Sequence, residues 1–244
     1  MRKIFVSSRN IIGGKITISD KEKIHHIRDV LRLAINDEMI VCDDEGNQLL
    51  CAITAIAPQL ILRLKKKMQP PVSESKVRLT VACALPKKST IDDIIEKLTQ
   101  VGVERVIPMT TERVVVAFDE EKKQVRLARW RTIALNASEQ SQRNDLPVVE
   151  PITDLKTVLA SSDDYDLKLL FTLPGTRTSL KKILQQIKSK NILVLIGPEG
   201  DFTDEEIEAA KKSGCIAVSL GNLVLRVETA AVAAASFIML YENG

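Results

Sequence analysis

Aromatic side chains make up only 3% of these 244 residues, with a single tryptophan among them, which argues against a platform that binds nucleic-acid bases by stacking them on rings. Cysteine and histidine are also sparse. Cys42, Cys51, Cys83 and Cys215 are scattered without a Cys-x-x-Cys pair, and the only histidines are the neighbours His25 and His26. That inventory argues against a disulfide framework and against a structural metal site, so no metal is expected. No run approaches the roughly 18 apolar residues of a membrane span. The start, Met1-Arg2-Lys3-Ile4-Phe5-Val6-Ser7-Ser8-Arg9, lacks the apolar core of a secretion signal. A soluble, cytoplasmic protein in a reducing compartment, without membrane contact, is expected. Gly-x-x-x-x-Gly-Lys-Ser/Thr is absent, and Gly-x-Gly-x-x-Gly follows no predicted strand, which makes ATP and NAD poor ligand candidates.

Net charge is a mild +3, from 35 basic and 32 acidic side chains. Its distribution says more: residues 1–70 carry 12 basic against 8 acidic groups, whereas residues 71–244 are nearly balanced. Contact with a polyanion is expected on the first segment.

Up to about residue 68 the chain reads as short strands: Ile4 to Val6, Lys15 to Ile18, Glu38 to Cys42, Gln48 to Ile56 and Leu60 to Lys66. The clusters Asp43-Asp44-Glu45-Gly46-Asn47 and Ala57-Pro58-Gln59 read as turns. One helix, roughly Asp20 to Leu33, interrupts them, so a small barrel with a helical insert is expected over 1–70. Gln69-Pro70-Pro71-Val72-Ser73-Glu74-Ser75 reads as a linker. From residue 76 to 244 strands and helices alternate. Strands are expected at Val77 to Ala84, Arg105 to Met109, Leu167 to Phe171, Ile192 to Ile196 and Ile216 to Ser219. Helices are expected at Thr90 to Val101, Glu121 to Ser141, Asp154 to Leu159, Ser179 to Ile187, Asp204 to Lys212 and Glu228 to Leu240. This order predicts an α/β domain whose mostly parallel sheet is covered on both faces.

Three loops end strands in the second half: Leu173-Pro174-Gly175, Gly197-Pro198-Glu199-Gly200 and Leu220-Gly221-Asn222. In one parallel sheet all three open at the same carboxyl edge, where α/β proteins hold ligands. Ordinary βα turns would also use glycine here. The acids Asp201, Asp204 and Glu205, with a Thr203/Glu206 capping box, would repel a phosphate. A ligand that is neutral or cationic at its reacting end, such as a sulfonium methyl donor, suits the loops better. Arg226 and Glu228 lie beside them, as a planar donor and a proton acceptor or as a simple ion pair. His25, His26, Arg28 and Arg32 share helical spacing, with Arg28 and Arg32 four apart and so on one face. Together with Arg63, Lys65, Lys66 and Lys67 they form either a phosphate-contacting surface or ordinary surface charge. The polar helix end from Asn136 to Arg143 is a solvated face or one wall of a substrate groove.

With those residues in place, the chain resembles the uridine-N3 methyltransferases of small-subunit ribosomal RNA, of the SPOUT superfamily. His26 with Val30-Leu31-Arg32, Lys97, Gly102-Val103, Pro108 and Glu112-Arg113 occur in the family's order. Trp130, Glu139-Gln140-Ser141, Arg143 and Pro147 follow, then Gly197-Pro198-Glu199-Gly200, Leu220-Gly221, Leu225-Arg226 and Glu228-Thr229-Ala230. The resemblance implies a PUA-like RNA-binding barrel and a C-terminal domain threaded as a trefoil knot, a topology that periodicity does not suggest. It also implies a homodimer and S-adenosyl-L-methionine as cofactor, with 16S ribosomal RNA, within the small ribosomal subunit, as partner. Carried onto this sequence, the cofactor-binding candidates are Leu173, Ile196, Gly197, Pro198, Glu199, Gly200, Leu220, Gly221, Leu225, Thr229 and Ala230. Arg226 and Glu228 are the catalytic candidates, and Arg9, His26, Arg28, Arg32, Arg113 and Arg143 the RNA-binding ones. The chain departs from the family's usual pattern at Asp201 (a second glycine), Asn222-Leu223 (Pro-Arg), Val227 (Thr), Val114 (Ser) and Gln100-Val101 (Glu-Leu). Asp201 thus adds an anion beside the pocket and Leu223 removes a cation. A non-catalytic RNA-binding or ribosome-assembly protein on the same fold is the alternative.

Overall fold

The apolar runs of the second half are uninterrupted rather than alternating, as strands buried on both faces require. In the computed structural model, which describes residues 2–43, 47–68, 77–86, 90–114, 119–143, 145–173, 178–186 and 190–243, these runs form one sheet. The chain divides into two units, one of residues 1–73 with 138–146, the other of 74–137 with 147–244.

The first unit holds β1 (Lys3–Val6), β2 (Ile11–Ile12), β3 (Lys15–Ile18), α1 (Lys21–His25), β4 (Glu38–Asp43), β5 (Gln48–Ala55) and β6 (Leu60–Met68). They form a six-stranded sheet in the order β1-β4-β5-β6-β3-β2, in which the β1 and β4 pair is parallel and the others antiparallel. Ile16, Ile18, Met39, Val41, Cys51, Ile53, Leu60 and Leu62 are buried in its core with Ile24 and Ile27 of the helical segment. Asp20 caps α1 by accepting from the Glu22 and Lys23 amides. The helix is shorter than its periodicity suggests. It passes at His26 into a π turn that ends at Val30, the Leu33 amide closes on the Ile27 carbonyl at 3.0 Å, and Arg32 turns left-handed with φ 52°. Arg28 and Arg32 therefore share no α-helical face, a correction to the i,i+4 expectation. The segment 138–146 packs within this unit: the Phe5 amide donates to Glu139 Oε1 at 3.0 Å and Lys23 pairs with the same carboxylate at 3.6 Å. The residues read as a linker and the tip of the Asp43–Asn47 turn lie outside the described residues.

The second unit contains β7 (Arg78–Ala84), α2 (Thr90–Val101), β8 (Arg105–Thr110), most of α3 (Glu120–Gln140), β9 (Val148–Val149), β10 (Thr153–Asp154) and α4 (Leu155–Ala160). It continues with β11 (Leu167–Phe171), β12 (Thr178–Ser179), α5 (Leu180–Gln186), β13 (Asn191–Ile196), α6 (Asp204–Lys212), β14 (Ile216–Ser219) and α7 (Val227–Asn243). The strands order β10-β8-β7-β13-β11-β14-β12, with β9 beside β8, and every pairing is parallel. Alternate residues feed two cores. Leu79, Val81, Cys83, Ile192, Val194 and Ile196 pack with α2, α3, α5 and α7, and Ala82, Ala84, Leu193 and Leu195 pack with α4 and α6. The small residues of α7 let it approach closely: Ala231, Ala234 and Ala235 are fully buried, and α7 packs on α2 and β7. Trp130 is fully buried on α3, and its indole N–H donates to Asp92 Oδ1 at 3.0 Å, which satisfies the one polar atom that ring buries.

Candidate functional site

Because β13, β11 and β14 are neighbours and parallel, Ile196, Phe171 and Ser219 run out at one edge of the sheet. The cleft there is lined by the starts of all three loops and by the entry to α7. Of the residues singled out from the sequence, Leu173, Ile196, Gly197, Pro198, Glu199, Leu220, Gly221, Leu225 and Ala230 line it. Gly200, Arg226, Glu228 and Thr229 are not among the lining residues. Pro174 and Gly175 lie outside the described residues. Phe171, Thr172, Asp201, Val218, Ser219, Leu223, Val224 and Val227 also line the cleft, although they were not among the cofactor candidates. Leu223 and Val224 are 80% and 74% exposed and form an apolar lip.

The loop after β13 is tightly packed. A Cβ on Gly197 would stand 2.9 Å from Phe202 Cε2, and Phe202 is itself buried, so the ring occupies the space a side chain would need. The Asp201 amide donates to the Pro198 carbonyl at 2.9 Å, and Asp201 takes φ 61°, a left-handed conformation that glycine adopts freely and aspartate tolerates. Arg113 Nη1 donates to the carbonyls of Gly200 and Phe202. This arginine thus grips the loop backbone, a contact that its place among the RNA-binding candidates does not suggest. Gly221 has φ 131°, open only to glycine in practice, and it turns the chain out of β14.

Charge decides what the cleft can hold. Among the described residues, its lining includes the carboxylates of Glu199 and Asp201 and no lysine, arginine or histidine. The amino terminus of α6, which would attract an anion, is filled from within. Thr203 and Glu206 complete a capping box, and Glu206 also accepts from the Glu112 amide at 2.9 Å. Arg226 is exposed, and among the described residues its side chain makes no hydrogen bond or ion pair; Glu228 is half-buried and likewise unpaired. The Arg226 and Glu228 ion pair held open from the sequence is therefore absent among the described residues. Cys83, at the top of β7, is fully buried, and burial pushes its thiol up to about 12, with the Glu199 and Glu228 carboxylates adding to the shift. A neutral thiol of that kind is a packing residue, not a nucleophile.

A second cleft, of about 380 Å³ against about 90 Å³, lies at the opposite edge of the sheet. Its polar groups serve one another: Arg78 Nε donates to Asn191 Oδ1 at 2.6 Å, Tyr165 Oη to Thr80 Oγ1 at 3.1 Å, and Arg105 pairs with Glu150. Position and chemistry, not size, favour the carboxyl-edge cleft.

Residues 73–239 match the RNA methyltransferase domain family, and residues 18–65 match the RNA methyltransferase PUA domain. The chain belongs to the RNA methyltransferase family. A relative in Synechocystis, ribosomal RNA small subunit methyltransferase E, is 31% identical over 93% of this chain and 74% of its own length. The Bacillus subtilis protein of the same name is 29% identical over 89% and 87%. Among solved structures, the Neisseria gonorrhoeae ribosomal RNA small subunit methyltransferase E bound to S-adenosyl methionine aligns with a TM-score of 0.83 at 26% identity. That alignment covers 99% of this chain and 98% of that one. A Legionella pneumophila methyltransferase with bound cofactor SAM aligns at 0.84 and 26% identity, over 98% and 97%.

In this RNA methyltransferase the remaining cationic candidates belong to the first unit. Arg9, His26 and Arg32 are exposed. Arg28 is exposed and forked onto Asp29, whose carboxyl it holds down to about 2. Arg143 differs: its side chain is only 9% exposed and pairs with Asp145 at 3.0 Å, so it braces the 138–146 segment. Arg63, Lys66 and Lys67 of β6 are exposed, and Lys65 pairs with Glu38 at 2.6 Å.

Proposed function

We propose that this RNA methyltransferase transfers a methyl group from S-adenosyl-L-methionine to N3 of a uridine in 16S ribosomal RNA. The observation that carries the reading is the cleft where three parallel strands end together, bearing two carboxylates and, among the described residues, no cationic side chain. Such a site disfavours phosphate-bearing cofactors and suits a neutral nucleoside with a cationic sulfonium. The relatives named as small-subunit ribosomal RNA methyltransferases, and the neighbours solved with this cofactor, point the same way.

The cofactor would supply an electrophilic methyl group. Leu173, Ile196, Gly197, Pro198, Glu199, Leu220, Gly221, Leu225 and Ala230 would hold it, largely through backbone groups and apolar contact, with Gly200 and Thr229 just outside the lining. A uridine imide is a weak acid, so its N3 becomes nucleophilic as the proton leaves and negative charge grows on the carbonyl oxygens. Arg226, exposed and uncommitted, would donate to those oxygens, and Glu228 would orient the ring or accept the proton. The first domain, residues 1–70, would dock the RNA through Arg9, His26, Arg28 and Arg32, with Arg113 and Arg143 acting through the backbone and segments they hold. The catalytic domain, residues 76–244, would carry the trefoil knot. The exposed apolar side chains Leu223, Val224, Phe237 and Leu240 suit a homodimer, which would meet small ribosomal subunits in the cytoplasm as its substrate.

The test is transfer of labelled methyl from S-adenosyl-L-methionine to unmodified small-subunit RNA by the wild type and by Arg226→Ala. A loss of about 100-fold in kcat, with cofactor affinity kept, is expected for removal of one charge-stabilising donor. Full kcat in a folded Arg226→Ala protein would remove that residue from the mechanism.

A further inference from the structure

Asp201 is the residue whose placement goes beyond what the resemblance supplies. The family pattern has glycine there, and the left-handed φ of 61° explains why glycine fits. In this chain the side chain that replaces it is fully engaged. Its Oδ2 accepts from the Leu173 amide at 2.7 Å and from Thr172 Oγ1 at 3.0 Å, and its Oδ1 accepts from the Phe202 amide at 2.8 Å. Leu173 and Thr172 stand at the start of the loop after β11, whereas Asp201 and Phe202 belong to the loop after β13. All three donors are neutral, and among the described residues no cation pairs with the carboxylate.

We infer that Asp201 is a positioning residue that straps the loop after β11 to the loop after β13, so that one wall of the cofactor cleft is preformed before the cofactor arrives. The inference rests on the proposed cofactor reading. Two glycines in succession would leave the loop free to wander and its ordering would weaken binding; the carboxylate does that ordering in advance, since one acceptor group fixes three backbone or side-chain donors on both loops. Its hydrogen bonds act through the loops and serve neutral and cationic forms of the ligand alike, while its charge adds only to the preference for the sulfonium.

The experiment is calorimetric binding of S-adenosylmethionine and of its neutral product, S-adenosylhomocysteine, to the wild type, Asp201→Gly, Asp201→Asn and Thr172→Val. Both Asp201→Gly and Asp201→Asn tolerate the left-handed backbone. Asp201→Gly should raise Kd for both ligands about tenfold, the loss of roughly one net hydrogen bond's worth of ordering. Asn keeps an oxygen for Leu173 and Thr172 and should stay within about threefold of wild type; Thr172→Val should fall between them. Unchanged binding by Asp201→Gly would overturn the strap, as would Asn as weak as Gly, or a loss confined to the sulfonium. If the wild type binds neither ligand, the cofactor reading fails; if it binds both and the variants match it, only the strap fails.

Discussion

Gly197→Ala is the perturbation whose consequence the structure fixes most narrowly. The backbone at Gly197 is not left-handed, so alanine meets no conformational barrier, and the cost is steric. The new methyl would lie 2.9 and 3.0 Å from Phe202 Cε2 and Cδ2, and 3.3 Å from Asp201 Oδ1. Carbon atoms in contact settle near 3.5 to 4.0 Å, so the ring must retreat by more than half an ångström. Phe202 is only 2% exposed and has little free space to enter. Overpacking of this kind costs about 1–3 kcal/mol, or roughly 4–8 °C in melting temperature for a cost near 2 kcal/mol in a domain of this size. The displaced loop is also a wall of the cleft, so affinity for S-adenosylmethionine should fall together with stability. Phe202→Leu makes room, and the double variant should be less destabilised than the sum of the singles by about 1 kcal/mol. Thermal melting and calorimetry of the three proteins measure this. A Gly197→Ala protein that melts and binds like the wild type, or strictly additive variants, would refute the reasoning.

Asp92→Ala should lower stability by about 1–3 kcal/mol, because the fully buried indole N–H of Trp130 loses its acceptor at 3.0 Å. Chemical denaturation followed by emission of this sole tryptophan reads the loss, and Asp92→Asn should recover most of it. All four cysteines are buried, and burial raises the thiols of Cys42, Cys51 and Cys215 to about 11 and Cys83 to about 12, from an ordinary 9.0. A raised thiol pKa stabilises the fold fully below pH 9, and that contribution is lost as pH climbs toward 11 to 12. Native protein at pH 8 should react slowly with a thiol reagent and titrate as four thiols only when unfolded; rapid native labelling would contradict the packing. Lys66→Ala and Lys67→Ala should weaken RNA binding across sequences and each reduce the salt slope by about one, if both meet phosphates.

The sequence is most legible where one constraint dominates. Strands buried on both faces must be apolar throughout, and those read from such runs recur within a residue or two, as Leu167–Phe171 and Ile216–Ser219 do. α2 likewise follows from its periodic isoleucines, Ile91, Ile94 and Ile95. The convergence of three strand-end loops is also readable, because parallel strands leave by the same edge. Strands of two residues such as β9 and β12 carry no detectable pattern, since their pairing is imposed by the neighbour. The end of α1 is misread for a related reason: apolar spacing continues through Leu31, but the backbone widens into a π turn and reverses at Arg32, with no glycine or proline to announce it. The return of residues 138–146 to the first unit rests on Glu139 meeting Phe5 and Lys23, more than a hundred positions away. The same limit applies to Asp201 and Arg113. Asp201 reads as an added anion and Arg113 as a cation for RNA, whereas their hydrogen bonds tie them to loop backbone.

The most direct test of the central claim is nucleoside mass spectrometry of unmodified small ribosomal subunits incubated with this protein and S-adenosyl-L-methionine. New 3-methyluridine in the 16S RNA is the predicted result; no methylated nucleoside, from protein that demonstrably binds the cofactor, would contradict the proposed activity.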